Sequence, residues 1–218
     1  GVATFEFPHL LKLVQGNQFD TVYHEHFSYL SLAATSGIFK RHGLSVFDVE
    51  ELPTHGGSLR VFAQRTDCGM RETSACVARL LAAEVDAGIT TESLYASFQA
   101  KADRVKDDFL SFLIGAKRAG KTVAAYGAAA KGNTLMNYAG VRSDLIRFVV
   151  DLNPAKQGKY MPGSRIPIVD ERRLEQEKPE FVVILPWNLK TEVTQQLKYV
   201  REWSGKFVIP VSRLEIVS

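Results

Sequence analysis

The amino-acid sequence predicts an α/β protein whose C-terminal part is a parallel sheet covered by helices on both faces. Two observations carry this. Between residues 122 and 211, short apolar runs at 122–126, 147–151, 181–185 and 206–211 alternate with helical patterns at 133–138 and 191–203. Strands that are apolar on both faces belong to parallel sheets sandwiched between helices. Upstream, Leu94, Phe98, Val105, Phe109, Phe112 and Leu113 recur at helical spacing across residues 91–118, which predicts a long helix with one buried face.

The elements ahead of that helix read as follows. Residues 3–7 form a short strand ended by Pro8, which lacks an N–H for a ladder and pushes Phe7 towards extended geometry. Leu10, Leu11, Leu13 and Val14 make a short helical stripe that stops at Gly16 and Asn17. Leu30, Leu32, Ala33, Ile38 and Phe39 predict a helix over 27–41, with Gly43 as its stop. Two strands follow, one through Leu44, Val46, Phe47 and Val49 and the other through Leu59, Val61 and Phe62. The turn between them spans 53–58. Residues 73–87 form an alanine-rich helix, and Thr90–Ser93 opens the long helix that Gly120 ends. The expected organisation is therefore a segment 1–66, a helical connector 67–118 and an α/β domain 119–218.

Composition narrows the function classes. The net charge of +3, from 27 basic and 24 acidic residues, is too small for a nucleic-acid footprint. No apolar run reaches the length of a membrane span, and the first residues are not a secretory signal. Cys68 and Cys76 are too few for a disulfide scaffold and are not a CxxC pair, which fits a reducing cytoplasm, the expected compartment. The chain opens without Met and runs straight into a strand, which reads as the C-terminal part of a longer polypeptide.

The densest chemistry is the run Tyr23, His24, Glu25 and His26. Imidazole titrates near neutrality, and a neighbouring carboxylate or phenol orients and tunes it, so the run is suited to removing a proton from carbon or oxygen. The competing readings are a structural helix start and a metal site. An extended backbone would put Tyr23 and Glu25 on one face and His24 and His26 on the other. No further Cys/His cluster completes a tetrahedral set, so no metal is expected.

Three loops are candidate binding elements. Residues 126–133 form a small-residue turn between a buried strand and a helix, where backbone N–H groups and the helix dipole hold phosphate. Gly127 allows close approach, Lys131 adds a cation, and Asn133 lies at the expected helix start. Asp151 ends the next strand 24 residues after Gly127, where doubly wound folds bind a ribose hydroxyl. The turn matches neither GxGxxG nor the P-loop pattern, so tight helix–sheet packing is the alternative. The loop 151–165 carries Lys156, Lys159 and Arg165, for phosphate or simply for solvent. The loop 54–60 offers His55 and Arg60 beside Gly56 and Gly57, either as a substrate-lining turn or as a plain hairpin turn.

The pieces FEFPHLLKL, FDTVYHEHFSYLSL, HGLSVFDVE, THGGSLRVF, YGAAAKGNTLMNY and VVDLNPAKQGKYMPGSRIPI, in this order and spread through most of the chain, resemble the C-terminal portion of the sugar-nucleotide C-methyltransferases. The resemblance implies a three-part enzyme: a zinc-binding module, a methyl-donor-binding Rossmann domain, and a C-terminal Rossmann-like domain that helps bind a dTDP-sugar. On that reading, residues 1–66 are the last strands of a truncated methyltransferase Rossmann domain. S-adenosylmethionine would serve the full-length enzyme, and no cofactor is expected to bind tightly here. The implied reaction is deprotonation beside a sugar keto group followed by methyl transfer to carbon. It assigns Tyr23, Glu25 and His26 to the active site, with His26 as base or proton relay, Tyr23 near the enolate oxygen and His24 in support. The diphosphate would lie at residues 127–133 with Lys131, and the loop 151–165 would meet nucleotide or sugar. The missing upstream region makes the isolated fragment inactive on this reading. The alternative from another class is a regulatory NAD- or CoA-type nucleotide-binding Rossmann module without catalysis, which has no need of the proton-handling run.

Overall fold

The computed structural model describes residues 1–67 and 69–218, so Cys68 lies outside the described residues. The chain divides into two units, Gly1–Phe19 with His24–Gln99, and Asp20–Tyr23 with Ala100–Ser218.

The first unit contains β1 (Ala3–Pro8), α1 (Leu10–Gln15), α2 (Leu32–Arg41), β2 (Leu44–Leu52), β3 (Ser58–Arg65), α3 (Ala75–Asp86) and α4 (Glu92–Ala96). Its sheet has the order β1-β3-β2 and is antiparallel throughout. The register pairs Ser58 with both Leu52 and Pro8. Leu32, Val49, Leu59, Val61, Val77 and Leu80 form its core, with Phe7 and Phe39 packed against them.

The helix expected over 27–41 starts only at Leu32, and its caps explain why. Ser31 Oγ accepts the Ala34 N–H at 3.0 Å. Glu84 of α3 reaches across to accept the N–H groups of Leu32 at 2.7 Å and Ala33 at 2.8 Å. These groups satisfy the donors that a helix start leaves orphaned. Glu84 also accepts the His9 Nε2–H at 2.8 Å, with both side chains wholly buried. Burial alone would raise its pKa, but the bonds from His9, Ala33 and Leu32 outweigh it and hold the carboxyl below its ordinary 4.5.

The second unit takes up most of α5 (Phe98–Arg118) and contains β4 (Val123–Tyr126), α6 (Ala130–Tyr138), β5 (Val149–Val150), β6 (Ile168–Val169), α7 (Arg172–Glu177), β7 (Phe181–Ile184), α8 (Lys190–Gln196), β8 (Lys206–Ile209) and β9 (Glu215–Val217). The strand order is β6-β5-β4-β7-β8-β9, with β4 to β8 parallel and β9 antiparallel to β8. This is a Rossmann-like doubly wound sheet whose order reverses between β4 and β7. Val150, Val182, Ile184, Leu197 and Phe207 fill one of its cores.

Several boundaries differ from the sequence pattern. The long helix breaks at Ser97, the C-cap of α4, before α5 buries Ala102, Val105, Phe109, Leu113 and Ala116. The helix expected over 191–203 becomes α8 followed by a 3-10 stretch at Lys198–Trp203. The last parallel strand ends at Ile209 ahead of Pro210, and the strand expected over 147–151 shrinks to two residues. Two-residue β6 and the edge strand β9 are too short to show a period. Among the described residues no helix is long and apolar enough to cross a membrane.

Two outcomes are expected. Glu84→Ala lowers unfolding stability by about 3–5 kcal/mol, the cost of breaking a buried pair, measurable by urea denaturation. Because the folded carboxyl titrates below 4.5, its stabilisation is complete above that pH and is lost as pH falls through the folded value. The variant therefore loses less stability on acidification than the parent does. Gly132→Ala places a Cβ 2.6 Å from Leu185 Cβ, and overpacking of this kind costs about 1–3 kcal/mol in the same measurement.

Candidate functional site

Doubly wound sheets present ligands with a crevice beyond the strand C-termini, where the strand order reverses. Here the reversal point is formed by the segments after β4 and β7. Gly127 takes φ of 93°, and a Cβ there would lie 2.5 Å from Pro186 Cδ. Both facts require glycine. Its N–H donates to Val150 O at 2.7 Å, and the Ala129 N–H turns back to Gly127 O at 2.8 Å. α6 then begins at Ala130, with no side-chain cap from Ala129. Lys131 and Gly132, expected in the turn, therefore lie in the first turn of α6.

Asp151 stands directly after β5, as the spacing from Gly127 predicts, but its carboxylate is engaged within the protein. Oδ2 accepts the Ala128 N–H at 2.8 Å and the Lys156 ammonium at 3.2 Å, while Oδ1 accepts the Asn153 N–H at 2.9 Å. Lys156 also donates to Ala128 O at 2.8 Å. The amide expected to face a phosphate is thus held by Asp151, and the carboxylate expected at a ribose is shared among backbone and lysine. The Asn133 N–H bonds to Ala129 O at 3.0 Å, and its buried Oδ1 has no hydrogen-bond partner among the described residues. Lys159 is exposed, and its carbonyl accepts the Ile168 N–H at 2.8 Å.

A second cluster at the same strand ends was not legible in the sequence. Asp20 is wholly buried in the 3-10 turn Phe19–Thr21. The Trp187 Nε1–H donates to its Oδ2 at 2.7 Å. The Lys131 ammonium sits 4.5 Å above the Trp187 ring, in cation–π geometry, and Lys131 is only 7% exposed. Burial pushes the Asp20 pKa up to about 6, against the Trp187 bond and the Lys131 charge, which lower it. Burial likewise lowers the Lys131 pKa, offset in part by Asp20. The sequence held only weak signals for this cluster: Asp20 stands three residues ahead of Tyr23, and Trp187 follows the proline that closes on Gly127.

The proton-handling run occupies irregular backbone, neither strand nor helix, so the alternation of an extended chain does not apply to it. Tyr23 belongs to the second unit and His24, Glu25 and His26 to the first. The His24 and Glu25 side chains are 87% and 68% exposed, with His24 Nε2 3.9 Å from Glu25 Oε1. Tyr23 and His26 are half-buried.

His55 is exposed in the 3-10 turn Thr54–Gly56, with φ of 56°. Arg60 lies on β3 with its register partners Glu6 and Glu50 on either side. It donates to Glu6 at 2.9 and 3.2 Å and to Glu50 at 3.0 Å, a cross-strand ion triad. The structure therefore brings Gly127, Lys131, Asn133 and Asp151 together beyond the C-terminal ends of β4 and β5, and leaves His55 and Arg60 on the antiparallel hairpin of the other unit. A cavity of about 560 Å³ on the second unit includes Arg147, Arg173 and Glu177 in its lining. Arg147 and Arg173 are paired to Glu177 at 3.1 and 2.8 Å.

Comparison with known proteins gives the family. Residues 53–212 match the family model described as the C-methyltransferase C-terminal domain. Over 218 residues the chain is 38% identical to the C-methyltransferase NovU of Streptomyces niveus, covering 100% of this chain and 52% of that protein. The chain thus spans about half the length of the curated relative it matches. With the domain match running from the β2–β3 turn to beyond β8 and the likeness to NovU extending over every residue, this chain belongs to the C-methyltransferase family.

Proposed function

We propose that the chain is the C-terminal portion of an S-adenosylmethionine-dependent C-methyltransferase acting on a nucleotide-linked keto sugar, a dTDP-sugar or a close analogue. The observation that carries the reading is the run from Tyr23 to His26: a phenol, a carboxylate and two imidazoles held on irregular, solvent-facing backbone in a chain of this family. A structural role would put such side chains to use in packing, and His24 and Glu25 are largely exposed.

The residues present do not fit the methyl donor. Among the described residues of the first unit the sheet is antiparallel and has no glycine-rich strand-to-helix turn. In the second unit the turn after β4 commits its Ala128 amide to Asp151. The donor therefore belongs to sequence outside this chain.

What this chain contributes is proton transfer. Methylation at carbon needs a carbon nucleophile, and a carbon beside a ketone becomes one when a base removes its proton. The electron pair then moves onto the carbonyl oxygen. His26 takes that proton, Tyr23 donates a hydrogen bond to the oxygen as charge develops there, and Glu25 and His24 act in support. The sugar nucleotide is assigned to the second unit, with its diphosphate towards the uncapped start of α6 and the exposed Lys159. Buried Lys131 adds positive field from below the surface.

Two measurements test the reading. In the full-length enzyme, His26→Ala lowers kcat by about 10²- to 10⁴-fold, the range of general acid–base catalysis, with little change in sugar-nucleotide affinity; an unchanged kcat removes His26 from the mechanism. For this chain alone, dTDP at 100 times its Kd adds about 2.7 kcal/mol of stability by linkage, read as a rise in Tm that Lys159→Ala reduces. A Tm that stays constant up to millimolar dTDP removes the nucleotide site from this chain.

A further inference from the structure

The second unit holds a buried carboxylate close in sequence to the proton-handling run. Asp20 is a wholly buried carboxylate whose Oδ2 is bonded to a neutral indole. Its Oδ1 has no hydrogen-bond partner among the described residues. Burying a carboxylate costs several kcal/mol unless donors and an opposite charge offset it, and the nearby backbone of Asp20 and Thr21 supplies part of that offset. Lys131, on the first turn of α6, is the charged group that faces it, and Trp187, on the 3-10 turn after β7, does not titrate. The arrangement joins three separate pieces of the unit: the segment that begins at Asp20, α6, and the segment following β7. Thr21 is buried beside Asp20, Val22 is 49% exposed, and Tyr23 comes next. The chain therefore leaves the protein interior immediately before the phenol.

We propose that Asp20 is a positioning residue for the methyl-transfer reaction: held by the Trp187 indole and the Lys131 ammonium, it anchors the segment that presents Tyr23 to the substrate. This inference rests on the function proposed above. Protonating Asp20 weakens its acceptance of the indole N–H and takes the counter-charge away from the buried Lys131. The anchor is therefore tight when Asp20 is ionised and loosens in acid. None of the backbone hydrogen bonds at the start of α6, nor the contact of Lys159, involves Asp20, so the loss falls on turnover rather than on affinity.

The test has two arms. In this chain, tryptophan emission is followed from pH 8 to 4.5 for the parent and for Asp20→Asn; Trp203 is common to both. The expected result is a transition near pH 6 in the parent that Asp20→Asn lacks. A parent without the transition, or a variant that keeps it, overturns the anchor. In the full-length enzyme, Asp20→Asn and Trp187→Phe, the latter keeping an aromatic face for Lys131 but no N–H, are each expected to lower kcat about ten- to a hundredfold, the scale of a misplaced group. The KM for the sugar nucleotide should stay within about twofold, and the acidic limb of the kcat profile should move in Asp20→Asn. Unchanged kcat in both variants, or losses that match the loss of folded protein by circular dichroism, overturns the positioning role. A parent enzyme that transfers no methyl group overturns the proposed function and the role in turnover with it, while the emission titration decides the anchor by itself.

Discussion

A carboxylate taken out of water is tolerable only where donors or cations meet it, and two such carboxylates bracket the chemically dense stretch of this chain. Asp20 lies just ahead of the run from Tyr23 to His26, bonded to Trp187. Glu84 lies behind it in chain order, gathering His9 and the first two amides of α2. Each acts within its own unit, and each fixes one end of the segment through Tyr23–His26. The segment itself is left without regular secondary structure. Anchored ends and an irregular middle suit side chains that must meet a substrate rather than a core.

The same contrast separates the charges of the first unit. Arg60 is answered by Glu6 and Glu50 across the sheet, yet all three are substantially exposed, and exposed pairs of this kind contribute about 0–1 kcal/mol. Glu84, meeting donors from two segments in the interior, carries far more of the fold. Cross-strand register explains the first arrangement and helix capping the second, so neither needs a ligand to account for it.

Much of the architecture was legible because the strands of the second unit are apolar on both faces and the β2–β3 hairpin alternates around a turn rich in glycine. The parallel sense of that sheet followed from the alternation of strands and helices, while the order of its strands did not. What escaped was either short or non-local. β6 and β9 hold too few residues for a period, the start of α2 is set by a carboxylate 51 and 52 positions away, and Ser97 breaks a stripe that reads as continuous. The candidate site divides in the same way. Spacing located Asp151 correctly at the end of β5, but spacing cannot tell which partner takes a carboxylate's lone pairs, and here Ala128, Asn153 and Lys156 take them. Lys131 reads as a solvent-facing cation until Trp187, distant in the chain, closes over it.

The antiparallel strand β9 has a further consequence. Phe207, Val208 and Ile209 give β8 a buried apolar run after its exposed Lys206, and without β9 this would be the terminal strand of the sheet. An unpaired apolar strand is a template for joining another chain. β9 pairs along it from Phe207 to Ile209 and puts Glu215 at the rim with a lysine contact to Lys190 at 3.2 Å. The opposite margin, β6, is only two residues long. The sheet thus ends on one side in a three-residue strand opened by a paired glutamate and on the other in a strand of two residues, and edges this short offer little template for edge-to-edge aggregation.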